Sequence, residues 1–251
     1  MTESRAAALF ALRGGLFPLL DWAVRYFPIL RALRRHAADT GPILEIGSGS
    51  FGLAHFYRGE IVGCDVNFPE VPERNMLPVR CSGTQLPFAD SSFEAVVASD
   101  VLEHLPPDLR LQAVNEALRV TRKVAVFAFP CGKDAHALDE KFFDFHRKRN
   151  IPPPSWLEEH MRYPFPEQDL LQGVGEGWKV ERFGNEHLRF HDWVSRREMS
   201  YSWCRVFRAC LQFSPRLIEV GLRWADRAPF YRMIIVVSRR TSQGLENDAW
   251  T

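Results

Sequence analysis

Short apolar runs alternate with amphipathic stretches along most of this chain. Runs of strand length are expected at 43–46, 61–65, 78–81, 94–99, 123–129, 178–183 and 231–237. Helical spacing of apolar residues fills the gaps, as at 108–120, where Leu109, Ala113 and Ala117 share one face. Strands that alternate with helices predict an α/β fold, a doubly wound and mostly parallel sheet of seven strands.

The segment before the first strand is predicted to be helical. Two helical pieces are expected over 6–36, the first broken at Gly14-Gly15 and Pro18 and the second interrupted at Pro28. We expect residues 1–40 to form a helical lid packed on the main domain, 41–240, and 241–251 to form a flexible tail. Contact with a membrane surface is the alternative for the first segment, because its polar face carries several arginines.

Two insertions interrupt the alternation of strands and helices. The first, 130–166, follows the fifth strand, and ligands of such sheets bind beyond the carboxyl ends of the strands, so we expect it to roof the acceptor site. The second, 188–229, is rich in aromatic residues and arginine. It is predicted to pack on the core or on a sister subunit, or else to lie on an anionic membrane and present a lipid-linked acceptor.

Composition narrows the class of protein. The chain has 251 residues, 46% of them hydrophobic, and a formal net charge of +1, which suits one domain with additions and gives no indication of nucleic-acid binding. No apolar run approaches the length of a membrane span, so a cytoplasmic protein is expected. Its five cysteines form no C-x-x-C pair, which predicts free thiols and neither a zinc site nor a disulfide framework.

The most informative segment is 43–52, where an apolar run ends in closely spaced glycines. Gly47, Gly49 and Gly52 match the spacing G-x-G-x-x-G, in which glycine permits unusual backbone angles and a close approach of a ligand. This loop predicts an adenosine-containing cofactor. By itself it leaves NAD and S-adenosylmethionine (SAM) both open.

Two acidic residues bear on that choice. Asp65 ends the second apolar run, about 20 residues after the first, where an acid accepts hydrogen bonds from a ribose of either cofactor. Glu45 precedes the loop and would repel a pyrophosphate, whereas it would attract a sulfonium ligand with an ammonium group. Glu45 therefore favours SAM, and the alternative is that it only accepts hydrogen bonds from loop amides.

A third block at 86–106, LPFADSSFEAVVASDVLEHLP, carries a family resemblance. With the loop and Asp65 it resembles the class I SAM-dependent methyltransferases, the ubiquinone/menaquinone-methyltransferase-like or type 11 group, in order from 43 to 130 and more weakly at 230–239. The resemblance implies a Rossmann-like methyltransferase fold whose last strand is antiparallel, and SAM as cofactor. An NAD(P)-dependent oxidoreductase and a non-catalytic binding module of the same fold are the alternatives.

The resemblance also implies which residues bind the cofactor. The methionine part would lie on Glu45, Gly47, Ser48 and Gly49. The ribose and adenine would lie on Asp65, Val66, Ser82 and Gly83, with Asp100 and Val101 also against the cofactor. Two departures stand out, because Phe51 replaces the usual third glycine and Ser82 replaces a carboxylate.

Catalytic residues are less clearly indicated. His104 follows the fourth strand and is the first candidate for a general base, with a structural helix-capping role as its alternative; His136 is the second candidate, and His146 and His160 are weaker ones. Methylation at carbon or nitrogen could need no base. No cluster has metal-ligand spacing, so no metal is expected. The acceptor is predicted to be a small molecule or a lipid- or sugar-linked intermediate, and the oligomeric state is not indicated.

Overall fold

The computed structural model describes residues 20–68, 71–175 and 177–240, with Pro215 described by its backbone only. The first predicted helical piece, the breaks at Gly14-Gly15 and Pro18, and the predicted tail at 241–251 lie outside these residues. The predicted main domain, 41–240, is described except at 69, 70 and 176.

One sheet organises the molecule. Its strands are β1 (Ile43–Ile46), β2 (Ile61–Asp65), β3 (Met76–Arg80), β4 (Phe93–Ser99), β5 (Thr121–Pro130), β6 (Trp178–His187) and β7 (Phe230–Arg239). They lie in the order β3-β2-β1-β4-β5-β7-β6. The pairs from β3 to β5 are parallel, and β7 runs antiparallel to both β5 and β6. The predicted seven-stranded, mostly parallel sheet with a final antiparallel strand is confirmed.

Helices cover both faces of this sheet. They are α1 (Leu20–Arg35), α2 (Pro107–Val120), α3 (Gly132–Lys148), α4 (Ser155–His160), α5 (Leu188–Glu198), α6 (Tyr201–Phe213) and α7 (Pro215–Leu222). Short 3₁₀ turns occur at Gly52–His55, Leu102–His104 and Arg223–Ala225. The helix predicted at 108–120 is thus found as α2.

Alternation along the strands divides the core into two layers. Leu44 and Ile46 point to the α2 side, together with Val96 and Phe127 of the neighbouring strands. Ile43 points to the opposite side, where α1 packs through Ile29 and Leu33. Successive strand residues face opposite sides of a sheet, so Glu45 also faces α1, although its neighbours are apolar. Full burial of each large apolar side chain contributes roughly 1.5–3 kcal/mol.

Pro28 does not interrupt the second helical piece, contrary to the prediction. Helix α1 continues through it from Leu20 to Arg35. A proline inside a helix leaves the carbonyl four residues earlier without its N–H partner. Here that carbonyl, on Val24, accepts a hydrogen bond from the Asn185 side-chain amide at 3.5 Å. A donor from the distant strand β6 therefore compensates for the missing helical bond.

The second insertion, 188–229, packs partly on α1. Val194 of α5 and Phe207 of α6 form a small buried cluster with Leu20 and Val24. The outer side of the insertion leaves large apolar side chains in solvent, with Phe213 81%, Leu217 72% and Trp224 71% exposed. None of the described helices combines the length and apolar character that a membrane crossing requires.

The expectation of five free thiols is wrong for two of them. Cys64, in β2, and Cys81, just after β3, form a disulfide with a Cα–Cα distance of 6.0 Å. Strands β2 and β3 pair in parallel with Cys64 opposite Val79, so Cys81 lies within reach at the ends of these strands. The sequence does not indicate this pairing, because the two cysteines are 17 residues apart and form no C-x-x-C pattern.

Candidate active site

The glycine loop after β1 adopts the unusual backbone that its sequence predicts. Gly47, Gly49 and Gly52 have φ values of +70°, +53° and +46°. A Cβ at Gly47 would collide with Val101, and one at Gly52 would collide with the Glu45 carboxylate. A Cβ at Gly49 would meet no atom within 4 Å, so the loop is open above this residue. Phe51 occupies the position of the usual third glycine, and the loop ends one residue later at Gly52, where a 3₁₀ turn begins.

Asp65 lies against the same loop at the end of β2. Its Oδ2 accepts a hydrogen bond from the Gly49 N–H at 2.9 Å, and its Oδ1 accepts one from the Asn67 N–H at 3.1 Å. The residue is only half-buried, and the neighbouring Val66 is 69% exposed. Free lone pairs of the carboxylate therefore remain available to a ligand at the loop.

Ser82 and Gly83 follow β3, at the carboxyl end of the next strand. The exposed Ser82 hydroxyl lies 2.8 Å from the Thr84 hydroxyl and accepts a hydrogen bond from the Thr84 N–H. A Cβ at Gly83 would come within 2.8 Å of Ile46. The predicted ribose and adenine residues thus lie along the carboxyl ends of β2 and β3, on one edge of the sheet.

Glu45 is fully buried beneath the loop. Its Oε1 accepts a hydrogen bond from the Tyr26 hydroxyl of α1 at 2.9 Å, and its Oε2 accepts one from the Leu53 N–H at 2.6 Å. Burial raises the pKa of Glu45 to about 7, although both hydrogen bonds oppose that rise. The structure therefore shows the hydrogen bond to a loop amide that the alternative interpretation expected. Ser48 is also buried, and its hydroxyl donates to the Gly49 carbonyl.

Asp100 follows β4 and is held by two arginines. Arg232 contacts both of its oxygens at 3.0 and 3.1 Å, and the Arg25 Nε lies 2.8 Å from its Oδ2. Burial would raise the pKa of Asp100, but the two guanidinium groups lower it well below its usual range. Its backbone has φ +51°. The carboxylate is thus committed to protein partners, and Asp100 shapes the loop that carries Val101.

The turn after Asp100 presents Glu103 and His104. Glu103 is fully buried, and among the described residues neither of its carboxylate oxygens has a hydrogen-bond partner. Burial and the charge of Asp100 raise its pKa well above the usual range. Burial lowers the pKa of His104 to about 4, with a further contribution from His160. His104 is therefore a weaker proton acceptor than an ordinary histidine.

The first insertion brings a second histidine to this turn. His160, at the end of α4, places its Nε2 3.9 Å from the Glu103 Oε1, and its ring centroid is 5.0 Å from that of His104. Its Nδ1 donates to the buried Asp139 carboxylate at 2.6 Å. Asp139 also accepts from the Tyr231 hydroxyl at 2.9 Å. The first insertion thus contacts the turn that follows β4.

His136 does not join the group formed by Glu103, His104 and His160. Its ring packs against Phe165, with a centroid distance of 5.0 Å, and Phe165 makes a second contact of 5.0 Å with His160. Phe165 thus lies between the two histidines. His146 is buried with its Nδ1 3.2 Å from the Pro152 carbonyl, which is a structural contact.

Sequence reasoning misses the partners of these groups. No local signal marks Tyr26, Asp139 or Arg232, because each lies far along the chain from the residue it contacts. Glu103 lies within the 86–106 block, where the sequence assigns it no role. The available signal for Glu103 is its position, directly before the candidate base His104 and two residues after the expected cofactor residue Val101.

The loop and its surroundings fit SAM. Gly49 offers open space, Asp65 offers a carboxylate at the end of β2, and Val66 offers an exposed apolar surface beside it. A pyrophosphate on the same loop would lie over Glu45, whose negative form would repel it. The donor set and the open backbone are therefore suited to a cationic, adenosine-containing ligand.

Comparison with known proteins agrees with this geometry. The model of the type 11 methyltransferase domain family matches residues 44–129. An uncharacterized methyltransferase of Mycobacterium sp. (strain KMS) is 41% identical over 101 residues, which cover 34% of this chain and 38% of the relative. The matched part thus spans about two fifths of that relative's length.

Solved structures of similar fold include two methyltransferases. A candidate methyltransferase from Bacillus halodurans C-125 has 16% identity and a TM-score of 0.46, covering 85% of this chain and 98% of its own. The magnesium protoporphyrin IX methyltransferase of Synechocystis PCC 6803, with bound SAH, has 13% identity and a TM-score of 0.47, covering 85% and 81%.

The family match covers the segment from β1 to β5, which holds the glycine loop, Asp65 and Asp100. The strand order and the antiparallel β7 are those implied by the resemblance. SAM is accordingly the cofactor that the family assigns, in preference to NAD. Residues 44–129 thus match the type 11 family of class I SAM-dependent methyltransferase domains.

Proposed function

We propose that this protein transfers a methyl group from SAM to a small-molecule, lipid-linked or sugar-linked acceptor. The observation that carries the proposal is the open glycine loop at Gly49, hydrogen-bonded to Asp65, within a matched methyltransferase domain. SAM, when bound, supplies an electrophilic methyl group on a sulfonium. The chain has to hold the cofactor, orient the acceptor and, for a hydroxyl acceptor, remove a proton.

The cofactor would be held by residues at the carboxyl ends of β1 to β4. Gly47, Ser48 and Gly49, with Glu45 beneath them, would take the methionine part. Asp65 would accept hydrogen bonds from the ribose, with Val66 beside the adenine and Ser82 and Gly83 at its edge. Asp100 and Val101 would close the site from β4. Because the Asp100 carboxylate is paired with Arg232 and Arg25, its role there is to position Val101 and the backbone.

The acceptor would bind at the end of β4, beneath the first insertion. Glu103, His104 and His160 face one another there and supply polar groups that could orient it. Helix α1 would act as a lid, since the Tyr26 hydroxyl donates to Glu45 and Arg25 forms an ion pair with Asp100. His104 and His136 remain the predicted bases. The lowered pKa of His104 makes it a weak proton acceptor. His136 packs against Phe165, which separates it from His160.

The outer face of the second insertion supports a peripheral membrane contact. Phe213, Leu217 and Trp224 are exposed on it, and Arg216 and Arg223 lie beside them in the chain. Exposed apolar side chains with neighbouring arginines suit a surface of anionic lipid. A protein that lies on the membrane surface would then bind a lipid-linked acceptor there.

Calorimetry with S-adenosylhomocysteine (SAH) and with NADH tests the cofactor assignment. We expect SAH to bind and NADH to give no heat. Asp65→Ala should weaken SAH binding at least about tenfold, because each 1.4 kcal/mol lost is a decade in affinity. Asp144→Ala, at an exposed acid of α3, is the matched control. Binding of NADH alone would favour the oxidoreductase, and no response to either ligand would favour a non-catalytic module.

Co-sedimentation with vesicles tests the membrane contact. Vesicles of phosphatidylglycerol should retain the protein more than vesicles of phosphatidylcholine. Replacing Phe213 and Trp224 by Ser should reduce retention, whereas Leu77→Ser, at a 64% exposed apolar residue of β3, should leave it unchanged. Equal retention of all three proteins would contradict this part of the proposal.

A further inference from the structure

We propose that Glu103, His104 and His160 form a binding site for one divalent transition-metal ion at the carboxyl end of β4. The site adjoins the proposed acceptor region, and its metal affinity can be measured without any methyl transfer. The inference therefore goes beyond the proposed function and stands or falls separately from it.

The three side chains converge with ligand-like distances. Each offers one ligand atom, and these atoms all lie within 4.8 Å of one another. The Glu103 Oε1 is 3.9 Å from the Nε2 of His104 and 3.9 Å from the Nε2 of His160. Two ligands bonded to a tetrahedral zinc-type ion lie about 3.4 Å apart, since each bond is about 2.1 Å. Small side-chain movements would therefore close the site around an ion.

Glu103 is the observation that calls for a cation. Its side chain is 0% exposed, and within the described ranges both oxygens lack a hydrogen bond. The nearby arginines are engaged elsewhere. Arg232 and Arg25 hold Asp100, and Arg110 donates to the carbonyls of Leu105 and Pro164. A buried carboxylate without a partner is costly, and a bound metal ion would satisfy both its charge and its lone pairs.

His160 is already oriented as metal-binding histidines are. The Nδ1 of His160 donates to Asp139, and the Nδ1 of His104 lies 3.1 Å from the Glu159 carboxylate. Both rings thus turn their Nε2 towards Glu103. Histidines that bind metals commonly donate their other ring nitrogen to a carboxylate, which fixes the ring and its tautomer, as the bond from His160 to Asp139 does here. The Nδ1 of His104 is near the Glu159 carboxylate but forms no hydrogen bond to it.

The donor set indicates the kind of ion and of acceptor. Two imidazoles and one carboxylate suit Zn²⁺, Fe²⁺ or Co²⁺ better than Mg²⁺, which prefers oxygen ligands. Three protein ligands leave further coordination positions open, as catalytic metal sites do. If the proposed function holds, an acceptor with a hydroxyl or carboxylate oxygen would fill one of these positions.

This inference departs from the absence of metal expected from the sequence. Glu103 and His104 are adjacent in the chain, but His160 comes from the first insertion, and no local spacing connects them. Only the packing of α4 on the Leu102–His104 turn brings the third ligand into place.

Titration of the metal-free protein with Co²⁺ tests the site. The protein is dialysed against a chelator, and Co²⁺ is added while visible absorption is recorded. We expect an absorption band that saturates at one Co²⁺ per chain and is abolished by Zn²⁺. Glu103→Gln and His160→Gln should weaken Co²⁺ binding at least about tenfold. His55→Gln, which alters a distant histidine 2.6 Å from Glu73, should not change it.

His104→Gln provides a second test should the buried variants fail to fold, because His104 is 26% exposed. Absence of a Co²⁺ band in the parent, or unchanged Co²⁺ affinity in folded His104→Gln, would overturn the metal site. SAH calorimetry on the same samples separates the two proposals. SAH binding without Co²⁺ binding refutes the metal site alone, and Co²⁺ binding without SAH binding counts against the proposed function alone.

Discussion

Arg232 holds Asp100 through two parallel hydrogen bonds, Nε to Oδ1 at 3.0 Å and Nη2 to Oδ2 at 3.1 Å. The two residues are 132 positions apart in the chain, one on the antiparallel strand β7 and the other just after β4. Arg232 also reaches Glu186 of β6, from Nη1 to Oε2 at 3.0 Å. One buried guanidinium thus connects the last two strands to the loop that borders the proposed cofactor site.

Removing this guanidinium should destabilise the fold strongly. Arg232→Met keeps an unbranched apolar side chain but leaves Asp100 and Glu186 with less charge compensation in the interior. We expect the free energy of unfolding in urea to fall by about 3–5 kcal/mol, as for other broken buried ion pairs. Arg239→Met, at the exposed end of the same strand, should change it by no more than about 1 kcal/mol. Equal effects of the two changes would show that the pair contributes little.

Glu45 should make stability depend on pH. Its pKa in the folded protein is about 7, above the ordinary 4.5, so between these values the unfolded chain binds fewer protons than the folded one. The contribution of Glu45 to the free energy of unfolding should therefore be fully present below pH 4.5 and be lost, by roughly 3 kcal/mol, as the pH rises through 7. Urea unfolding at pH 5 and pH 8 measures this decrease.

Glu45→Gln should remove this contribution, because glutamine does not titrate, whereas Glu103 and His104 titrate in both proteins. The difference in free energy of unfolding between the parent and Glu45→Gln should therefore change by roughly 3 kcal/mol between pH 5 and pH 8. Glu158→Gln, at an exposed residue of α4, serves as the control and should retain the contribution of Glu45. A difference between the parent and Glu45→Gln that is the same at pH 5 and at pH 8 would contradict the raised pKa of Glu45.

Two glycines of the loop should respond differently to alanine. Gly49→Ala introduces strain at φ +53° without a collision, whereas Gly52→Ala adds a collision with the Glu45 carboxylate to the strain at φ +46°. Strain of this kind costs on the order of 1–3 kcal/mol. We expect Gly52→Ala to lower the melting temperature more than Gly49→Ala. Gly173→Ala, where a Cβ meets open space and φ is ordinary, should have little effect.

The cysteine pairing can be counted directly. Alkylation of the unfolded protein without reductant should modify three cysteines, Cys131, Cys204 and Cys210. Prior reduction should raise the count to five, since Cys64 and Cys81 are then released. Mass spectrometry distinguishes the two states. If five cysteines are modified without reductant, the Cys64 and Cys81 sulfurs are not bonded to each other in the isolated protein.

Local patterns in the sequence determine the elements and the glycine loop. The apolar runs predict strands β1 and β2 at their observed bounds, because runs of strand length are encoded by adjacent residues. The positive φ of Gly47 and Gly49 is also predictable, since few other residues adopt it without strain. The continuation of α1 through Pro28 is not, because the compensating Asn185 comes from a strand far along the chain.

Tertiary structure alone decides how the polar groups are paired. Tyr26 donates to Glu45, Arg232 holds Asp100, and His160 reaches Glu103, in each case between residues that no local pattern connects. Burial makes such pairings energetically decisive, because a polar group removed from water needs a partner whatever its position in the sequence. Residue types and spacing indicate which groups require partners, and only the packed sheet, helix α1 and the two insertions select them.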